Sequence, residues 1–397
     1  MRIGRTIPPA AAPLGWSDLG HGAAALFAPR RALRRLEEEV RGYFGVRDVF
    51  LVSSGTAALT LTLMALKSLS PKTEVVIPAY TCFSVPAAVL KAGLRPVPCD
   101  IDPTNFDYDH ALLERALKST TLCVVVHHLF GVASDVERTR RLCRARRIFV
   151  VEDAAQAMGL DIGGRHLGTL GDAGIFSLGR GKHVTCGSGG MVVTSSPKIA
   201  RALREHYAAL RSPSVFASLT DLLTLAFMTV FIQPRLYWIP ASVPFLRLGE
   251  TIFPRHIVLT RLSALKAGLL RNWRSRLARA NRVRLQTVTY FSRQLPLPES
   301  TARAQAFLRL PILVESHADQ VRLHASSRSS GLGLARAYPS AVSDIPEVQA
   351  ASFVARKSFP AARGVVDRLL TIPTHELLSE RDKREIADLC RTVPMAS

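Results

Sequence analysis

The sequence predicts an α/β fold: a mostly parallel sheet covered by helices on both faces, with a smaller C-terminal α/β domain behind it. Three observations carry this. Between about residues 48 and 194, short apolar runs alternate with segments of helical pattern, the rhythm of βαβ units whose strands are buried on both faces. Small polar clusters follow the ends of several runs, and in such sheets ligands bind beyond the carboxyl ends of the strands. An arginine-rich stretch over about 263–290 then leads into a second, shorter alternation. The chain therefore divides into a large domain, about 1–285, and a small C-terminal domain, about 286–397.

The expected strands cover 48–52, 74–77, 95–99, 122–126, 148–151, 174–178 and 190–194. The stretch 263–290 reads as one long helix. Beyond residue 295 the pattern gives a strand over 306–314, a helix over 317–330 and a last helix over 379–391. One segment departs from the theme. Residues 215–232 are strongly apolar, interrupted by Asp221, and Pro234, Pro240 and Pro244 break up the chain just beyond. The whole insertion, about 214–250, is open to three readings: an amphipathic or buried helix, a monotopic membrane contact with arginines meeting anionic headgroups, or a marginal span.

With 397 residues, nearly half of them hydrophobic, the chain can bury a sizeable core. Its 52 basic and 31 acidic residues leave a net charge of +21. The excess is scattered arginine, clustered at 30–35 and 138–147, without a basic tail or a nucleic-acid-binding motif, so a nucleic-acid partner is not expected. A solvated basic surface and steering of an acidic substrate both fit. Six cysteines without a CxxC pair fit a reducing cytoplasm and argue against a structural zinc site. Prolines follow Met1-Arg2-Ile3-Gly4-Arg5 closely and no sustained apolar run appears, so no signal peptide is expected. A cytoplasmic protein follows from these features, with membrane association resting on the insertion alone.

Three clusters carry chemistry. Ser53-Ser54-Gly55-Thr56-Ala57 follows the first strand; free N–H groups at the helix start, Gly55 and the hydroxyls of Ser54 and Thr56 would seat a phosphate, although Ser-Gly-Thr is also an ordinary helix N-cap. Glu152-Asp153-Ala154-Ala155-Gln156 follows the fifth strand. Asp153 there could keep a pyridine nitrogen protonated or cap the next helix, and Gln156, one helical turn on, could reach a ring oxygen. Ser177-Leu178-Gly179-Arg180-Gly181-Lys182 follows the sixth. Lys182 is either a solvated loop lysine or an amine whose lowered pKa makes it a carbonyl nucleophile; Ser177 is a further phosphate donor, and Arg180 an anion contact or a loop charge. His127-His128 ends the fourth strand without a third metal ligand, which leaves a ring-edge or substrate contact, or packing.

Taken together, Ser54-Gly55-Thr56-Ala57-Ala58-Leu59, Ile77-Pro78-Ala79-Tyr80-Thr81, Ala92-Gly93-Leu94-Arg95-Pro96-Val97, Asp100-Ile101-Asp102, Glu152-Asp153-Ala154-Ala155-Gln156, Gly171-Asp172, Phe176-Ser177 and Lys182 resemble the DegT-type nucleotide-sugar aminotransferases. These are pyridoxal-phosphate enzymes of fold type I, the aspartate-aminotransferase-like class. The likeness is close over about 36–204 and looser beyond, where Tyr338-Pro339, Phe359-Pro360-Ala361-Ala362 and Leu370-Thr371-Ile372-Pro373 also match. The resemblance implies that Lys182 carries pyridoxal 5'-phosphate as a Schiff base and shuttles protons. Asp153 would hold the pyridinium, Gln156 the ring oxygen, and Gly55, Thr56 and Ser177 the phosphate. It further implies an amino donor such as glutamate, a nucleotide-linked keto-sugar acceptor of cell-envelope or exopolysaccharide metabolism, and a homodimer. Some relatives are dehydratases with histidine at the lysine position; Lys182 favours transamination over dehydration, and the intact Lys182, Asp153 and Gln156 favour catalysis over a silent regulator. Cys82 stands where the family usually has an aromatic residue on the cofactor ring, and Leu259-Thr260-Arg261 where it has asparagine-aromatic-arginine.

Overall fold

The computed structural model describes residues 2–297, 305–351 and 359–396. Its main sheet is built from β1 (Asp48–Val52), β2 (Glu74–Pro78), β3 (Arg95–Cys99), β4 (Thr121–His127), β5 (Phe149–Asp153), β8 (Ala173–Ser177) and β9 (Gly190–Thr194), with a small hairpin of β6 (Asp161–Ile162) and β7 (Arg165–His166) beside it. The strand order is β1-β9-β8-β5-β4-β2-β3. β9 runs antiparallel to both its neighbours; the remaining pairings are parallel. The carboxyl ends of β1, β2, β4, β5 and β8 and the amino end of β9 therefore share one edge of the sheet.

The two-sided burial that the apolar runs imply is visible residue by residue. Val75 and Ile77, Cys123 and Val125, and Ala173 and Ile175 enter one core. Val76, Val124 and Val126, and Phe176 enter the other. This is the period-two alternation of a strand with a helical layer on each face. The helix Gly55–Ser68 is covered nearly all round, burying Ala57 through Leu63 together with Ala65 and Leu66. The outer helices are amphipathic. Pro29–Phe44 buries Ala32, Leu36, Val40 and Phe44, and Val136–Arg144 buries Val136, Thr139 and Cys143. The two arginine clusters fall mostly on the solvent faces of these helices and their ends, the solvated-surface reading of the charge.

The 263–290 stretch is two helices, Ala264–Leu269 and Trp273–Gln294. Packing breaks the helix: Gly268 lies against the helix Trp16–Ala25 so closely that a Cβ there would come 2.4 Å from the His21 carbonyl oxygen, and the chain turns after Leu269 to keep that contact. The C-terminal elements are β10 (Arg309–Leu313), shorter than the expected 306–314, antiparallel to β11 (Leu369–Pro373), with helices His317–Ser330, Pro360–Arg368 and Glu380–Cys390. Their apolar residues, among them Leu310, Ile312, Leu370 and Ile386, join the same core as Val288 and Phe291 of the long helix. Asp100 ties the parts together by accepting from the free N–H groups of Ala361 and Ala362, as a carboxylate at a helix N-terminus should.

The insertion forms the helix Val215–Phe231 and, across a 120° bend, the helix Pro234–Ala241. Among the described residues no single helix is long and apolar enough to cross a membrane. The amphipathic reading holds with an unusual orientation. Asp221 and the buried Leu225 face the protein, Asp221 ion-paired to Lys266 at 2.8 Å. Phe216, Leu219, Leu223, Phe227 and Val230 face outward, Phe216 and Leu223 with 79% and 73% of their surface open.

Candidate active site

The candidate residues converge at the shared sheet edge because each follows the end of a strand. Ser54 leaves β1 extended and caps the helix Gly55–Ser68, its Oγ accepting from Ala57 N–H at 3.0 Å. The N-cap reading is met by Ser54, and the cap does not exclude the phosphate-seat reading, since it leaves the N-terminal N–H groups and Thr56 available to a ligand. Gly55 packs on the end of β8: a Cβ would meet Ser177 Cβ at 2.8 Å and Oγ at 3.1 Å. Gly190, at the start of β9, lies on Ser54. A cleft of about 410 Å³ opens beside this seat, lined by Ser54, Thr56, Ser188, His256, Arg261 and Lys266 among others.

Asp153 ends β5, with its Oδ1 accepting from Ala155 N–H at 3.1 Å. Burial raises its carboxyl pKa, against the lowering influence of the Ala155 hydrogen bond, Lys182 and His128. No helix follows it. Residues 154–160 make successive tight turns, Ala157 N–H to Ala154 O and Leu160 N–H to Ala157 O, with Gly159 at φ +77°; the helical spacing expected for Gln156 is corrected accordingly. Gln156 is nonetheless fixed, accepting at Oε1 from Phe130 N–H at 3.2 Å and donating from Nε2 to the Tyr338 hydroxyl at 2.9 Å. The neighbouring Glu152 is wholly buried and accepts from His128 Nε2 and from the N–H groups of Gly168, Leu170 and Gly171.

Lys182 lies past β8 in a loop whose Gly181, at φ +68°, packs against Ala10. Its ammonium has no hydrogen bond or ion pair among the described residues. Burial lowers its pKa, opposed by Cys82 and Asp153 and reinforced by Arg309. Those influences put Cys82, Asp153 and Arg309 within electrostatic reach of Lys182. Cys82 is half-buried, its sulfur accepting from Ser84 Oγ at 3.0 Å, and aromatic surface lies near it: Tyr80 against Tyr338 at 5.4 Å and Phe83 against Tyr338 at 6.5 Å between ring centroids. Arg180 is exposed. His183 is buried and kept neutral by that burial.

The histidine pair belongs to the scaffold. His127 bonds Thr81 and the Phe106 carbonyl, and His128 bonds Glu152. Arg261 donates to the carbonyls of Tyr207 and Ala208, and Thr260 and Arg261 line the same cleft as Ser54 and Thr56 of their own chain. Three groups at the edge were not singled out from sequence for it: Arg309, Tyr237 of the insertion, and Tyr338 as the partner of Gln156. A lone arginine inside the apolar run Phe307-Leu308-Arg309-Leu310-Pro311-Ile312 is the signal that could have found the first.

A mostly parallel sheet with a half-buried lysine and a half-buried carboxylate within electrostatic reach of each other at its carboxyl edge defines the class of fold type I pyridoxal-phosphate enzymes. More narrowly, the family described as the DegT/DnrJ/EryC1/StrS aminotransferase family matches residues 27–219 and 255–391, and the chain belongs to it. The unmatched stretch between is most of the apolar insertion. The chain is 38% identical over 172 residues, 43% of its length and 46% of the relative's, to a UDP-N-acetyl-3-dehydro-alpha-D-glucosamine 3-aminotransferase of Acidithiobacillus ferrooxidans. It is 37% identical over 174 residues, 43% of its length and 33% of the relative's, to protein MosB of Rhizobium meliloti. It thus spans a third to a half of the length of these curated relatives. Helicobacter pylori PseC, an aminotransferase involved in the biosynthesis of pseudoaminic acid, has the same fold, with a TM-score of 0.76 at 16% identity over 98% of this chain and 99% of that one.

Pyridoxal phosphate is the cofactor of this family, and the residues present fit it. The Gly55–Ser177 cradle is closed to even one added methyl group, the Lys182 amine is unpaired, and the Asp153 carboxyl faces the same edge as Lys182.

Proposed function

We propose that this protein is an aminotransferase that moves an amino group, from glutamate or a similar donor, onto a nucleotide-linked keto-sugar used in cell-envelope or exopolysaccharide synthesis. The observation that carries the reading is the Lys182 amine, without a hydrogen bond or ion pair among the described residues, half-buried at the sheet edge within electrostatic reach of Asp153. Pyridoxal phosphate bound there would supply an electron sink for breaking the donor's α-C–H bond. In this reading Gly55, Thr56 and Ser177 hold the phosphate, at a helix N-terminus whose dipole favours anions. Asp153 keeps the pyridine nitrogen protonated, and the ring nitrogen's charge in turn keeps Asp153 ionised despite its burial. Gln156, held by Tyr338 and Phe130, would orient the ring oxygen, and Cys82 would stand where the family's aromatic residue meets the ring. Lys182 Nζ would take the proton from the donor's α-carbon and deliver it, across the amino nitrogen, to the carbon that was the cofactor's aldehyde; desolvation, by disfavouring its ammonium, makes it the base. The cofactor-binding part is about 1–285, with a smaller domain over 286–397.

We read the working unit as a cytoplasmic homodimer with its sites near the interface, supported by family membership and the commonness of two-fold assemblies. The outward apolar stripe of Val215–Phe231, in a chain of net charge +21, supports peripheral contact with an anionic membrane surface.

Absorption of the purified, cofactor-loaded protein should change on adding L-glutamate, and labelled amino nitrogen should pass to an acceptor in a panel of nucleotide-linked keto-sugars. Lys182→Ala should lose the glutamate response. Borohydride reduction and peptide mapping should place the cofactor on Lys182. A label on another lysine, or an undiminished response in Lys182→Ala, overturns the assignment, and loss of water without amine transfer makes the protein a dehydratase.

A further inference from the structure

The sheet edge holds a second cation, Arg309, half-buried, that the proposed chemistry at Lys182 leaves unused. Arg309 opens β10, and the backbone beside it is bound into the site: Leu308 N–H donates to the Phe130 carbonyl at 2.8 Å, and Phe130 N–H donates to Gln156. The Nε and Nη2 of Arg309 are sealed from solvent without a hydrogen-bond partner. No carboxylate pairs with it among the described residues. The groups within electrostatic reach are the phenols of Tyr338, Tyr80 and Tyr237, and burial pushes its guanidinium down to about 10. A charge in that position is costly unless something pairs with it, and a guanidinium fork matches an oxyanion with two oxygens.

We propose that Arg309 receives the α-carboxylate of the amino donor. This rests on the aminotransferase reading and deepens it. The donor's carboxylate is bonded to the carbon from which Lys182 is to take a proton, so its site must lie near Lys182, and Arg309 is the cation within reach of that amine. A nucleotide-sugar diphosphate is attached at the anomeric carbon, with the bulk of the sugar between it and a distal keto carbon, and so belongs farther out. The basic cleft lined by Arg261, His256 and Lys266 offers it a place. Tyr237, from the part of the insertion outside the family match, lies at the Arg309 subsite, and Tyr338, whose hydroxyl already accepts from Gln156, joins the subsite to the ring-orienting residue.

The test uses cofactor-loaded protein and two unreactive probes, glutarate for the donor's carboxylates and uridine diphosphate for the acceptor's phosphates, with binding followed by calorimetry. Arg309→Met should weaken glutarate on the order of 10- to 100-fold, the loss expected for charge-assisted hydrogen bonds, with uridine diphosphate and bound cofactor unchanged. Arg309→Lys should fall between. The melting temperature without ligand should hold or rise in Arg309→Met, because an unpaired buried charge has been removed; a purely structural arginine would lower it. Unchanged glutarate binding overturns the proposal, as does loss of uridine diphosphate instead, which would give Arg309 to the acceptor. Failure of both variants to fold makes it structural and overturns it too. Should the wild type bind glutarate through Arg309 while Lys182 takes no label, the aminotransferase reading falls and the anion subsite stands.

Discussion

At the scale of single residues, the proposed phosphate seat makes the sharpest demand on space. Gly55 has an ordinary helical backbone, so alanine there meets no conformational objection; the objection is Ser177, whose Cβ would lie 2.8 Å away. Gly55→Ala must therefore push the end of β8 off the helix start, and cofactor affinity should fall by about tenfold or more, roughly 1.4 kcal/mol, while the remote Gly42→Ala, whose Cβ would meet only the far end of Arg274 at 3.7 Å, should leave it unchanged. Equal cofactor affinity in Gly55→Ala and wild type, read by titrating the stripped protein, would remove Gly55 from the seat. Gly55, Thr56, Asp153, Ser177 and Lys182 were legible in the sequence for one physical reason: each sits within a few residues of the end of an apolar run, so local pattern alone locates it on the sheet edge. Arg309, Tyr237 and Tyr338 reach the same place through tertiary packing, across separations such as the 182 residues between Gln156 and Tyr338, and local spacing carries no trace of that. Gln156 lies between these cases, since its place was legible but its geometry comes from a turn where a helix was expected.

At the scale of elements, the insertion is the part whose sequence pattern was ambiguous, because an apolar helix with one aspartate looks the same whether its charge faces in or out. The Asp221–Lys266 pair at 2.8 Å resolves the direction by drawing the polar position inward and turning Phe216, Leu223 and Phe227 outward. The proposed membrane contact would use this exposed apolar stripe as its docking surface. Flotation with vesicles containing anionic lipid should carry the wild type upward, and Phe216→Ser/Leu223→Ser/Phe227→Ser should float several-fold less, with greater loss in high salt as headgroup attraction is screened. Equal flotation of the two proteins, or none by either, removes the membrane from the account. The anchor has its own test. Lys266→Met leaves Asp221 without its partner and should loosen the helix by about 1 kcal/mol, seen as faster proteolysis at the ends of the insertion; Asp221→Asn added to it should restore much of the protection, since the pair, rather than either charge, sets the orientation. Additive losses in the double variant would count against that.

At the scale of the whole molecule, several buried histidines stitch distant segments together in their neutral form. His375 Nε2 bonds the Pro8 carbonyl at 2.8 Å, holding the N-terminal segment that also meets the Lys182 loop through Ala10, and His127 bridges Thr81 and Phe106. Burial, partly offset by the bond to Pro8 and reinforced by Arg284 and Arg309, lowers His375 to about 4; burial likewise lowers His127 to about 4. In the unfolded chain such imidazoles titrate near about 6.5. Between those limits the unfolded state binds more protons than the folded one, so their contribution is fully present above about pH 6.5 and is lost as the pH falls toward 4, on the order of 3 kcal/mol for each. The melting temperature should accordingly decline through that window. His375→Gln, which removes one of these protonation sites, should be less stable at neutral pH yet decline less steeply on acidification, its slope reduced by up to one proton. A variant whose curve runs parallel to the wild type would show that His375 is not where acid enters, and would leave the clamp on the N-terminal segment insensitive to pH.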